Sequence, residues 1–399
     1  MKNYVTAITL GLLFVFGNAF SQKSIVIKGQ LKKVEDGTKI WLTKQEGNVG
    51  IGVAKDSVVN GRFSITYVPE TEEIEQYSLS PDGKGFPSMS LKLWAKSGSV
   101  IAVEGDDKLV YTWNVKSDIP QQNEWAYFIN ANRQLWNQYQ KLSVQRSALL
   151  DKSSKGDITK TEKEHLRKSM NSLDSLSNIC HYEIDKNNLA ILQKRKITPA
   201  SLEILSNVAS SIKWNATEEF RPAVQKLYSQ LNEEMKSSSD GQMIALVLSP
   251  PNIVRVGEPL YDTLLKDLNG KSYHLADFKG RYVLLDFWSY GCGPCHASVP
   301  EMKELHEKFK DSLTIVSISS DNKKIWKKAT EYFKMTWLNV SDGNENRGIY
   351  AHYGVQGIPN YVLIAPDGIV KATWTGYGTG SLKNKIKEQI GWSISTGND

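Results

Sequence analysis

Cys292, Gly293, Pro294 and Cys295 spell C-x-x-C, the pattern of a dithiol that exchanges with disulfides. The motif follows an apolar run over residues 282–288 and precedes a segment with helical spacing, so strand, short turn and helix are expected in that order. The strand aims the loop outward. The helix start directs free backbone N–H groups and the positive end of its dipole at the first sulfur. That favours the thiolate, which is the attacking species in disulfide exchange. Cys292 is therefore the candidate nucleophile and Cys295 the resolving thiol, with Gly293 and Pro294 making the turn between them. With His296 the same letters also satisfy C-x-x-C-H, the c-type haem attachment signature, which leaves the strand before it unexplained and would give a coloured protein. A structural zinc site wants four N or S ligands, and only His296 and His306 lie near the cysteines in sequence. A peroxidatic cysteine lacks its usual Pro and Thr pattern, because Ser289, Tyr290 and Gly291 stand there instead.

These residues need a scaffold, and the chain of 399 residues is long enough for two or three domains. Its 49 Lys and Arg against 43 Asp and Glu give a formal charge of +6. Part of the excess gathers at Lys323, Lys324, Lys327 and Lys328, read as a solvated helix face; no base-stacking motif accompanies it, so no nucleic-acid partner is expected. Lys2, the apolar stretch within residues 4–16, and Ala19 and Ser21 before Gln22 read as a signal peptide over residues 1–21, cleaved to release a periplasmic or otherwise exported protein with no stable membrane insertion. The alternative is a membrane anchor through residues 4–20. Three cysteines are too few for a disulfide scaffold in an exported chain of this size. Cys180 is read as a buried structural thiol because Leu173, Leu176, Ile179 and Ile184 surround it at helical spacing, with an intermolecular disulfide or a regulatory thiol as the alternative.

Short β-rich runs separated by Asp36-Gly37, Asn60-Gly61, Pro81-Asp82-Gly83 and Ser97-Gly98 predict an antiparallel, all-β sandwich-like domain over residues 22–118. The period then lengthens: Trp125, Phe128, Ile129, Leu135 and Trp136, and later Phe220, Val224, Leu227 and Leu231, mark an α-helical module over 119–248. Residues 249–252, with Pro250 and Pro251, make a linker. Strands and helices alternate over 253–393, predicting an α/β domain of mixed sheet covered by helices, and 394–399 form a tail.

In that last region residues 267–275, the strand into Trp288, the C-x-x-C, Pro300, Gly357-Ile358-Pro359 and Asp367-Gly368 resemble the thioredoxin-like proteins of the TlpA/ResA type. The upstream region resembles the β domain with helical spacer of exported Bacteroidetes proteins, which implies no chemistry for it. The C-terminal resemblance implies a thioredoxin-like fold, a cis Pro359 beside the dithiol, and substrate binding by Trp288, Ile358 and Pro359. It also implies a proton-relay role for Asp286, which in thioredoxin is matched by a buried acid; a purely structural role is the alternative. Burial would raise the pKa of such a carboxyl. Two positions depart from the family: Gly291 replaces a common Trp, opening Cys292, and Ser298 replaces an acid, so no pKa-tuning role transfers to it. His296 either shifts thiolate stability or merely faces solvent.

The expected function is an exported thiol-disulfide oxidoreductase acting on protein disulfides, with the Gly-Pro turn favouring the reductase direction. No metal and no cofactor are expected. A membrane thiol reductant would recharge the dithiol, since exported compartments are oxidising. The competing reading is a partner- or envelope-binding protein that uses its C-terminal module as a delivery head.

Overall fold

The computed structural model describes residues 23–391, apart from 48, 155–157 and 215–216. The signal peptide and the C-terminal tail read from the sequence lie outside the described residues. No described helix is long and apolar enough to cross a membrane.

Eight strands come first: β1 (Ile25–Leu31), β2 (Lys39–Glu46), β3 (Val49–Ser57), β4 (Arg62–Tyr67), β5 (Glu75–Asp82), β6 (Leu91–Ala95), β7 (Val100–Gly105) and β8 (Asn114–Lys116). They form two four-stranded sheets, ordered β4-β1-β7-β8 and β3-β2-β5-β6. Alternate residues of both, such as Ile25 and Ile27 on one and Ile40 and Leu42 on the other, fill a single core. The sandwich is not wholly antiparallel as expected: β1 and β7 pair in parallel, Val26 to Val100 through Leu31 to Gly105. Everything between them, including the second sheet, serves as the crossover that a parallel pair requires. Pro81, expected in a turn, is the second-last residue of β5, where β6 pairs no further than Leu79 and the missing N–H costs little. Gly29 is obligatory, since a Cβ there would stand 1.8 Å from the Phe63 ring.

Seven helices follow: α1 (Pro120–Ala131), α2 (Arg133–Ser153), α3 (Lys160–Leu192), α4 (Pro199–Trp214), α5 (Arg221–Ser229), α6 (Glu233–Ser237) and α7 (Ser239–Leu248). A capping box starts α3, with the Glu162 amide donating to Thr159 Oγ1 (3.2 Å) and the Thr159 amide to Glu162 Oε2 (2.8 Å). The helical core includes Trp94 from β6, which lies 5.4 Å from Trp125, so the sandwich and the helices share a packed seam. Cys180 is buried and free. Of the residues that point to its burial, Ile184 is buried with it, whereas Leu176 and Ile179 are 45% and 60% exposed.

The remainder comprises β9 (Leu265–Lys266), β10 (Ser272–Tyr273), β11 (Tyr282–Trp288), α8 (Gly293–Phe309), β12 (Leu313–Ser319), α9 (Lys323–Phe333), β13 (Leu338–Val340), α10 (Ile349–His352), β14 (Asn360–Ile364), β15 (Val370–Thr375) and α11 (Ser381–Ile390). The sheet order is β13-β12-β11-β14-β15, with β11 parallel to β12 and antiparallel to β14. This is a thioredoxin-like α/β fold whose central strand is apolar on both faces. Val283, Leu285 and Phe287 pack toward Ile349 and Tyr350, and Leu284 toward Val299 and Met302 of α8. The period-2 alternation of a strand therefore puts Asp286 and Trp288 on the α8 side with Leu284.

Candidate functional site

β11 delivers the chain to a turn at residues 289–292, and α8 carries it away. Cys292 is the N-cap of α8, and its Sγ accepts the Cys295 amide at 3.1 Å. The two cysteines are joined as a disulfide with Cα atoms 5.2 Å apart. Cys292 keeps 9% of its surface exposed and Cys295 only 3%, so the first sulfur is the one an outside group can approach. Gly293 and Pro294 are exposed at the rim.

The turn is fixed by a residue that no motif marks. Asp321, just beyond β12, accepts from Ser289 Oγ (2.8 Å) and from the Tyr290 amide (2.7 Å). Burial pushes its carboxyl above the ordinary range while these donors pull it back. Beneath the disulfide, Tyr350 places its hydroxyl 2.8 Å from the carbonyls of both Trp288 and Ile318. His296 is half-buried, with its ring against the Tyr290 carbonyl and 4.4 Å from the Phe333 ring, so it braces the turn from within α8 instead of facing solvent.

Trp288 requires a correction. It is 1% exposed, donates its indole N–H to Asn339 Oδ1 at 3.3 Å and packs in one cluster with Trp326 and both cysteines. It underlies the disulfide and leaves almost no surface for a substrate to reach. The Ile358–Pro359 peptide is cis. Gly357 and Ile358 face a cavity of about 620 Å³ together with Cys292, whereas Pro359 itself is buried behind them. Ser298 is buried and donates to the Cys295 carbonyl at 2.8 Å.

Asp286 is buried, with one carboxylate oxygen accepting from Ser317 Oγ (2.7 Å) and the other accepting from no described residue. Ser317 is its cross-strand neighbour on β12, and it accepts in turn from Trp337 Nε1 (2.8 Å). Loss of water raises the Asp286 carboxyl to about 7, outweighing the single hydrogen bond that lowers it. An acid with that pKa can take or give a proton near neutrality. Among the described residues no group of three or more His, Cys, Asp or Glu is placed to hold a metal ion.

A family model described as thioredoxin-like matches residues 280–370. The thiol-disulfide oxidoreductase ResA of Geobacillus thermodenitrificans is 33% identical over 139 residues, which cover 34% of this chain and 77% of that protein. The chain belongs to the ResA/TlpA-type thiol-disulfide oxidoreductases. The thioredoxin-like protein YneN of Bacillus subtilis is 29% identical over 138 residues, covering 34% of the chain and 79% of that protein. The thioredoxin domain of a thiol-disulfide oxidoreductase from Bacteroides vulgatus aligns with a TM-score of 0.32 at 33% identity, over 34% of this chain and 97% of that one. In this ResA/TlpA-type oxidoreductase the cysteine pair is thus a disulfide-capable pair on a thioredoxin-like fold. The turn brace at Asp321 was missed because nothing in its local spacing marks it; only the parallel β11–β12 pairing brings it under residues 289 and 290.

Proposed function

We propose that this protein is an exported oxidoreductase that reduces protein disulfides through Cys292 and Cys295. The observation that carries the reading is the asymmetry of the pair: Cys292 at the start of α8 beside an open cavity, Cys295 buried one turn behind it. In the reduced protein the α8 N-terminus would stabilise a Cys292 thiolate. That thiolate attacks one sulfur of a substrate disulfide; a Cys292–substrate bond forms, the substrate S–S bond breaks, and the departing thiolate takes a proton. Cys295 then loses its proton, Asp286 serving as acceptor, and attacks Cys292 Sγ. The second substrate thiolate leaves, and two electrons have passed from the dithiol to the substrate. Ile358 and the Pro359 loop would hold the substrate chain during the mixed disulfide. A membrane thiol reductant would restore the dithiol, because the exported compartment implied by the N-terminal sequence is oxidising.

The placement of His296 favours this reading over haem attachment, since its ring is engaged with the Tyr290 carbonyl and both sulfurs are engaged with each other. The reading is tested with Cys295→Ala, which should accumulate a covalent adduct of Cys292 with a protein disulfide substrate, seen by intact mass and released by dithiothreitol. Cys292→Ala should give no adduct at all. An adduct carried by Cys295 in the Cys292→Ala protein would reverse the assignment.

A further inference from the structure

The cavity at the dithiol is not made by the thioredoxin-like region alone. Its far wall comes from the helical module: Ser210 of α4, and Met243, Leu246 and Val247 of α7, face Cys292 and the Gly357–Ile358 loop across about 620 Å³. Val247 is also buried in the helical core, but Met243 and Leu246 are half-buried and, among the described residues, belong to no buried cluster. At i and i+3 they present neighbouring apolar side chains from one helix face to the cavity. Two further contacts hold the walls in place. Arg347 Nη1 donates to Ser239 Oγ (2.6 Å) at the start of α7, and Lys324 Nζ reaches Glu46 and Glu70 of the sandwich, each at 3.0 Å. On the other flank Val49 of β3 borders position 291, its Cγ2 3.7 Å from the Cβ that Gly291 lacks, an ordinary van der Waals distance. The space that a Trp would occupy beside the first cysteine is thus bordered by the sandwich.

We propose that α4 and α7 are part of the substrate site, and that the walled cleft admits a cysteine carried on an extended, unfolded polypeptide segment while holding folded domains away from Cys292. The proposal rests on the thiol-disulfide reading above. A folded partner needs roughly 800 Å² of open surface around the reacting sulfur to dock. Here that surface is flanked by α7 on one side and β3 on the other. The volume of this open cleft falls in the range of sites for small ligands, about 300–1,000 Å³, which suits a few residues of extended chain. Such a segment offers apolar side chains to Met243, Leu246 and Ile358, and backbone groups to the loop at Gly357.

The test uses the full chain, reduced, with two chromogenic probes in stopped flow. One is a leucine-flanked peptide of roughly ten residues whose single cysteine is disulfide-linked to thionitrobenzoate, long enough to span a standard-width contact. The other is dithiobis(nitrobenzoate), which is too small to span the cleft. In Leu246→Trp the ratio of the peptide rate constant to the small-probe rate constant should fall about tenfold or more, the discrimination expected when one apolar side-chain contact is blocked. Met243→Trp should do the same and serves if the first variant does not fold. An unchanged ratio in the folded variants overturns the proposal, as does a folded protein disulfide that reacts with the unaltered chain as fast as the peptide. No release from either probe by the unaltered chain overturns the oxidoreductase reading itself, and the proposal with it.

Discussion

Asp286 is where burial and chemistry meet at the scale of one residue. Its carboxyl is raised from 3.8 to about 7 in the fold, so the folded protein binds a proton that the unfolded chain has released across that window. Stability is full below the unfolded pKa and is lost as pH rises through the folded one, on the order of 4 kcal/mol in total. Asp286→Asn removes the ionisation; the urea midpoint of the oxidised protein should fall from pH 5 to pH 8 in the parent and fall less in the variant, where buried Asp185, raised to about 6, still titrates. The same change should remove an inflection near pH 7 from the rate at which Cys295 resolves a mixed disulfide, because a neutral amide accepts no proton. A charged residue inside an apolar strand made Asp286 legible in the sequence. The burial of Trp288 was not legible, since its position turns on β11 alternation together with an acceptor, Asn339, supplied by a strand 51 residues away.

At the scale of elements, β11, α8 and the loop before β14 place the site, and all three follow from sequence patterns: an uninterrupted apolar run, a C-x-x-C at a helix start, and Gly-Ile-Pro before a strand. Asp321 locks the first of these to the second. Asp321→Ala would strand the Ser289 hydroxyl and the Tyr290 amide at a largely buried turn, at a cost of about 1–3 kcal/mol per unsatisfied group. A drop of that size in the urea-derived stability is expected, with faster alkylation of Cys292 in the reduced protein as the turn loosens. Strands β3 and β5 are weakly marked in the sequence, for different reasons. The first is a glycine-containing edge strand with little of itself buried, and the second carries Pro81. β-propensity is weak at such places because cross-strand packing decides them.

For the whole molecule, the order of a β region, a helical region and an α/β region was legible from the changing hydrophobic period, but the way they meet was not. Trp94 joins the sandwich to the helical core, and Trp94→Ala should destabilise the region before residue 249 by about 3–5 kcal/mol, with sandwich and helices still melting together in calorimetry because they share that seam. The basic stretch at Lys323–Lys328 was read as a solvated face, and it is exposed, yet Lys324 also pairs with two glutamates of the sandwich. No local pattern announces such long-range contacts. The most direct test of the whole reading is a redox titration of the protein in thiol buffers, followed through the fluorescence of Trp288 and its neighbours. A single two-electron transition near the thioredoxin value of about −270 mV is expected, and it should vanish in Cys292→Ala. A protein with no two-electron transition would contradict the dithiol chemistry, and one that titrates near about −120 mV would contradict the reductive direction.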